Sequence, residues 1–288
     1  MIHHPLFRAV LGAGLLASIP AHADSWVVTQ TVNVTNAVTM NQTNATGSKQ
    51  AMNAINLGNG TLSNSSQTVT AGNGVTMNQS GGSDSKQAMN MILSTGTVSN
   101  TTQTVHMGSK ALTLNQSGSN NHQAANMMEA TTITGGSQTV NGLTDLTLET
   151  SGSDNIQAVN MASATDMGGL SQSATANGSI QFKLTDCARC YQAANYMNTD
   201  NITANMTQLF TAGSVDYSGN SGTNTGSVQA GNILIRRTGG TVAEGAGVTQ
   251  SFSASTITID HNSTATPGTS TGTGSVYAAN YFALKNTP

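Results

Sequence analysis

Apolar and polar residues alternate along most of the chain in short runs, without the three-to-four-residue spacing of an amphipathic helix. A representative stretch reads Gln67-Thr68-Val69, then Asn73-Gly74, then Val75-Thr76-Met77-Asn78-Gln79, a Ser/Gly/Asp loop, and Lys86 to Ile92. The runs are β-prone and the gaps turn-prone, so each unit is expected to be short strands joined by turns. Asn-Gly pairs at Asn73, Asn141 and Asn177 recur between the same two strands, where a positive φ is easily adopted. Pro267 is the sole proline between the N-terminal leader region and the last residue, which leaves nearly every backbone N–H free to join a ladder.

The units repeat. Gln-Ala-X-Asn occurs at Gln50 to Asn53, Gln87 to Asn90, Gln123 to Asn126, Gln157 to Asn160, Gln192 to Asn195 and Gln229 to Asn232, with Tyr277-Ala278-Ala279-Asn280 as a degenerate seventh copy. A second marker, Gln-Thr-Val, starts at Gln30, Gln67, Gln103 and Gln138, with looser versions at Gln172, Gln208 and Gln250. Its steps are 37, 36, 35, 34, 36 and 42 residues, a period near 36. A unit this short cannot bury a core alone, so neighbours must stack, and the expected fold is an all-β solenoid of about seven imperfect repeats. If a repeat makes one coil, the stack rises roughly 33 Å; if each Gln marks its own coil of about 18 residues, the height doubles. Stacking would align the recurring Gln and Asn into amide ladders; surface turn chemistry is the alternative. Strict alternation in Gln-Ala-X-Asn would put Ala with Asn on one face and Gln with X on the other, the Ala/Asn face being the more confined. Met40, Met52, Met77, Met89, Met91 and Met127 read as gap-filling core.

Composition restricts the function classes. Charged residues are 7% of the chain and the formal net charge is −3, which offers no basic patch for nucleic acid. Arg8, the apolar run Ala9 to Ile19 and the Ala21-His22-Ala23 close read as a secretory signal peptide over residues 1–23. Export is expected, to the cell surface, the medium or the periplasm, and no segment has the ~20 apolar residues of a membrane-spanning helix. Residues 24–207 read as the regular array. Residues 208–288, with Arg236-Arg237 and Tyr281-Phe282-Ala283-Leu284, read as divergent repeats forming a C-terminal cap or an interface.

Stretches such as Leu114-Asn115-Gln116-Ser117-Gly118-Ser119-Asn120-Asn121 and Met77-Asn78-Gln79-Ser80-Gly81-Gly82-Ser83-Asp84 resemble the curlin signature Gln-X-Gly-X-X-Asn. The imperfect Gln/Asn/Gly-rich repeats also resemble Fap-type amyloid subunits. The resemblance implies that each repeat forms one layer of a β-solenoid, that monomers join end to end, helped by a secretion or nucleator protein, and that the fibre scaffolds a biofilm. This chain departs in its longer period, in the last two repeats, which lose the loop signature, and in showing no evident aromatic column.

Cys187 and Cys190 form Cys-Ala-Arg-Cys; in an exported chain a disulfide closing a turn is expected, since the βαβ setting of a redox centre, the His of a haem motif and a second zinc pair are all missing. Asp84 and Asp154 read as solvated turn acids and not calcium ligands. No recurring acid pair, nucleophile elbow or phosphate loop suggests catalysis, and no cofactor or metal is expected. The sequence therefore points to a non-catalytic subunit of an extracellular amyloid-like fibre or biofilm matrix. The alternatives are a monomeric surface adhesin, a glycan- or ice-binding solenoid built on Thr68, Thr104 and Thr139, and, third, a polysaccharide-active β-helix enzyme. The first repeat, around Gln30 to Gln50, has only Lys49 as a charge and no proline, so its edge is poorly protected against further strand pairing.

Overall fold

The computed structural model describes residues 25–217, 224–237, 239–259 and 275–285; the signal-peptide reading falls outside them. The fold is a single-chain β-solenoid in which every strand pairs in parallel with the strand one repeat away. One repeat makes one coil: Gln30 pairs with Gln67, Gln67 with Gln103, Gln103 with Gln138, and the register runs on through Gln172 and Gln208 to Gln250. The stack of seven layers thus rises roughly 33 Å at ~4.8 Å per layer.

The first coil shows the cross-section. A first strand, Thr29–Val34, continues through a bend into a second, Val38–Thr43; a corner leads to the third, Lys49–Leu57, and a short fourth, Thr61–Ser63, returns the chain one layer higher. In the second coil, Gln67, Val69 and Ala71 alternate inward with Thr68 and Thr70 outward, and Val75, Met77 and Gln79 do the same on the second strand. The bend between these strands does not depend on the Asn-Gly pairs adopting positive φ, because of the three only Gly142 does so. Because every strand pairs in parallel with its copy one layer away, the chain needs no hairpin reversal here.

The third strand breaks the alternation that the sequence led us to expect. In every coil the ladder pairs Ala with Ala and Asn with Asn but skips X, and it pairs Gln with Gln as far as Gln229, which meets Tyr277. At that skipped residue the strand bends sharply. Gln87 Nε2 reaches carbonyls of the second strand, Met89 joins the main core, and Asn90 Nδ2 donates to the carbonyl of Thr104 on the first strand. Ala88 instead packs with Met91 and Leu93 on the opposite side. Ala and Asn therefore do not share a face: Gln, X and Asn line the convex, inward side, and Ala sits at the concave apex. The depth of the bend is visible in His122 and Glu129, whose side chains meet at 2.9 Å. Seven extended residues would span roughly 23 Å.

The bend separates three large apolar clusters, one between the first three strands, one under the fourth strand, and one inside the bend, and Leu184, Cys187 and Cys190 form a small fourth at a corner. The methionines singled out above are buried in the first and third of these. In the main cluster the residue sizes exchange along the stack. Met52, Val32 and Met40 fill the first layer; Ala194, Ala174 and Phe182 the fifth; Gly231, Phe210 and Tyr217 the sixth. A Cβ on Gly231 would lie 2.3 Å from the Phe252 ring and 2.7 Å from Phe210, so glycine stands at X where the facing strand carries aromatics. Glycine at X thus makes room for the facing aromatics, as a close-packed interior requires. Aromatics do stack toward the C-terminus, contrary to the reading of the sequence: Phe182 on Tyr217 at 4.9 Å between centroids and Phe210 against Phe252 at 5.3 Å. The strands Val248–Thr258 and Val276–Lys285 keep the same register as those below them.

Candidate functional site: amide columns and two open ends

A buried amide must be hydrogen-bonded or it costs stability, and here the repeat satisfies it by translation. On the first strand Gln67 Nε2 donates to Gln30 Oε1 at 2.7 Å and to the Met91 carbonyl at 3.2 Å. The same pair of bonds recurs for Gln103, Gln138, Gln172, Gln208 and Gln250, each donating to the Gln one layer nearer the N-terminus and to a carbonyl across the coil. A second column joins Gln50, Gln87, Gln123, Gln157, Gln192 and Gln229 in the same sense. The Asn column runs the other way. Asn53 Nδ2 donates up to Asn90 Oδ1, and so on through Asn126, Asn160, Asn195 and Asn232 to Asn280. The structure brings together every Gln and Asn singled out in the sequence, except that Tyr277 stands where the second Gln column would continue.

Two further columns went unnoticed although their 37-residue step was present in the sequence. Gln42, Gln79 and Gln116 form a buried ladder at 3.0 Å per bond, and Asn41, Asn78 and Asn115 one on the outward face at 2.8 Å. The buried one stops where Thr150 follows Gln116, because the shorter hydroxyl turns to Gln157 at 2.8 Å; Gln116 Oε1 is left without a partner.

Corners are built from left-handed residues in register. Gly47, Asp84, Asn120, Asp154, Arg189 and Gly226 have φ between 54° and 63°. At five of these six positions Gly, Asn or Asp adopts that region, which such residues tolerate best. Asp84 accepts from Asn120 Nδ2 at 2.7 Å, and Asp154 forms a bidentate pair with Arg189 at 2.7 and 2.6 Å. Among the described residues no group of three or more His, Cys, Asp or Glu could hold a metal ion. Cys187 lies opposite Gly152, where the corner gains one residue, and is bonded to Cys190 with 5.9 Å between Cα atoms. Cys190 occupies the column in which Ser85, Asn121 and Ser227 cap backbone N–H groups of the layer below.

The concave side of the third strand is closed by an ionic trio. Glu129 contacts Lys86 from the preceding coil and His122 from its own. Burial pulls its carboxyl upward, but the His122 hydrogen bond and the charges of His122 and Lys86 outweigh that and hold it at about 2. Deeper in the same concavity, burial pushes the Tyr196 hydroxyl far above its ordinary range.

At the ends the columns stop with their polarity showing. Among the described residues the first layer pairs only upward and the last only downward, leaving a strand edge at each end. No helix is long and apolar enough to cross a membrane among the described residues. Comparison of the chain with protein-family models, with curated proteins and with solved structures finds no match.

Proposed function

We propose that the chain is an exported, non-catalytic structural subunit whose solenoids join end to end into an amyloid-like fibre of an extracellular matrix. The observation that carries this reading is that parallel in-register ladders of backbone and side-chain amides reach both ends of the stack without a capping element among the described residues. Unprotected strand edges recruit further strands, and amide columns extended across a junction are the interaction that stabilises cross-β assemblies. The resemblance of the Gln-X-Gly-X-X-Asn corners to curlin repeats supports the same class. The low charge of the chain supports it too, since little repulsion opposes close stacking of copies.

The test is the assembly of the mature chain from Asp24 onward. It should form unbranched, dye-binding fibres after a lag, and preformed fibres should abolish the lag. A chain that stays monomeric for days at high concentration with seeds present would refute the fibre reading.

A second reading, a monomeric adhesin or glycan- or ice-binding solenoid, is favoured by the outward face of the first strand. Thr31, Thr68, Thr104 and Thr139 stack in register and are followed by Ser173, while Leu209 interrupts the column one layer later. Retention of the monomer in the seeding experiment would favour this account.

A further inference from the structure

As far as the described residues form them, the two ends of the stack are complementary to each other and unlike. We infer that two copies dock head to tail in one register, the seventh layer of one beneath the first layer of the next, with Gln250 under Gln30 and Asn280 under Asn53. This deepens the fibre reading and rests on it.

The first argument is the direction of the amides. Gln250 directs its Nε2 to Gln208 and to the Tyr281 carbonyl, so its Oε1 faces the open end as an acceptor. At the other end Gln30 receives Gln67 on its Oε1 and has one Nε2 hydrogen on the Ala54 carbonyl, leaving its second N–H outward. The Asn column offers the opposite match: Asn280 Oδ1 is taken by Asn232 while its Nδ2 lies on the open side, and Asn53 Nδ2 is taken by Asn90 and Thr68 while its Oδ1 is open. A head-to-tail joint therefore forms donor-to-acceptor contacts in both columns. Two like ends would oppose carbonyl to carbonyl in one column and N–H to N–H in the other.

Apolar columns give the same register independently. Val242, Ile257, Ile259, Phe282 and Leu284, all at the C-terminal end, are 45% to 55% exposed, whereas the members of their columns inside the stack are largely buried. Followed layer by layer, the Val242 column begins at Trp26, that of Ile257 at Val38, and that of Phe282 at Ile55. Ile259 follows Tyr217 in the column begun by Met40, and Leu284 falls in the one begun by Leu57. Val242, Ile257, Ile259 and Phe282 would thus be covered by apolar residues, as their equivalents within the monomer are, and Leu284 would meet Leu57 although Ser94, Thr199 and Arg236 stand in the column between them. Strand composition matches as well. Among the described residues, one end presents the short strand Ser25–Trp26 and the first three strands of a coil, and the other presents Val242, Val248–Thr258 and Val276–Lys285 at corresponding positions of the last layer. The break in this pattern is Tyr277, which meets Gln50 in the second Gln column.

Cysteine pairs on the solvent face read the register directly. In the proposed joint Thr31 of one copy lies one layer above Ser251 of the other, with a Cα separation near ~4.8 Å, inside the range a disulfide bridges. Fibres of the T31C/S251C variant, mildly oxidised, should give a ladder of covalent multimers on non-reducing gels, with the peptide that joins the two introduced cysteines identified by mass. The off-register T39C/S251C variant and T31C alone should give none. Fibres in which T31C/S251C fails to link, in which T39C/S251C links, or in which T31C links to itself, would overturn the register while leaving the fibre reading in place. Absence of fibres from the parent chain under seeding would overturn both.

Discussion

Replacing Gln138 with methionine keeps the volume of the side chain but removes its amide from the middle of a ladder. Gln138 Nε2 donates to Gln103 Oε1 at 2.7 Å and to the Met161 carbonyl at 2.9 Å, and its Oε1 accepts from Gln172 at 2.8 Å. The variant would leave Gln103 Oε1 and one N–H of Gln172 buried without partners, while the Met161 carbonyl keeps its strand bond. At about 1–3 kcal/mol per orphaned group, less a small gain from the apolar replacement, the loss should be about 3 kcal/mol. Gln30→Met, at a half-buried end, orphans only Gln67 Nε2 on one side and should cost about 1 kcal/mol. Urea unfolding followed by far-UV circular dichroism, with the slope checked for constancy between variants, measures both. The difference between centre and end is the diagnostic quantity. Equal losses for the two variants, or a Gln138→Met loss no larger than that of the outward Thr139→Val, would refute the claim that the amide columns are an internal hydrogen-bonded support.

Other predictions follow from the bend, the ionic trio and the corner. Ala158 at the concave apex is fully buried against the Met127 and Met161 column, so Ala158→Leu should overpack it and cost about 1–3 kcal/mol by the same unfolding assay, whereas Thr139→Leu outside should cost little. Glu129 is held at about 2, below its ordinary 4.5, so its contribution is present above about pH 4.5 and lost as the pH falls toward 2; stability over that window should drop less steeply in Glu129→Gln. Cys187 and Cys190 should not react with thiol reagents before reduction. Replacing them by the residues of neighbouring coils, C187G with C190S, should cost about 2 kcal/mol or less, the loop they close being short.

Much of the architecture was legible because the solenoid repeats its chemistry at the period of its coil. The 36-residue step of Gln30, Gln67 and Gln103, and the interleaved step of Gln50, Gln87 and Gln123, specify in-register stacking, since a buried amide is most simply satisfied by its own copy one layer away. What the sequence did not disclose was the course of the third strand. The alternation rule assumes a continuous pleat, and at X the ladder skips a residue, so Asn90 joins Gln87 and Met89 on the inward side and Ala88 is left at the apex. The invariance of Ala was a true sign of confinement, but the confinement comes from curvature and not from the interior of the coil. Contacts such as Lys86 with Glu129 exist only because of that curvature, and residues 43 apart in a weakly charged chain carry no pattern that announces them. The exchange of Met, Val and Phe for Ala and Gly between facing strands was likewise invisible until the layers were in register.

The most direct test of the account is the mass per unit length of the assembled fibre, measured on unstained specimens by scanning transmission electron microscopy together with its fibre diffraction. Solenoids joined end to end should give the ~4.7–4.8 Å cross-β reflection and one chain for roughly every 33 Å of each filament, because a single molecule supplies seven layers. One chain for every ~4.8 Å, with each copy flattened into a single layer, would contradict both the solenoid as the assembling unit and the proposed joint between Gln250 and Gln30.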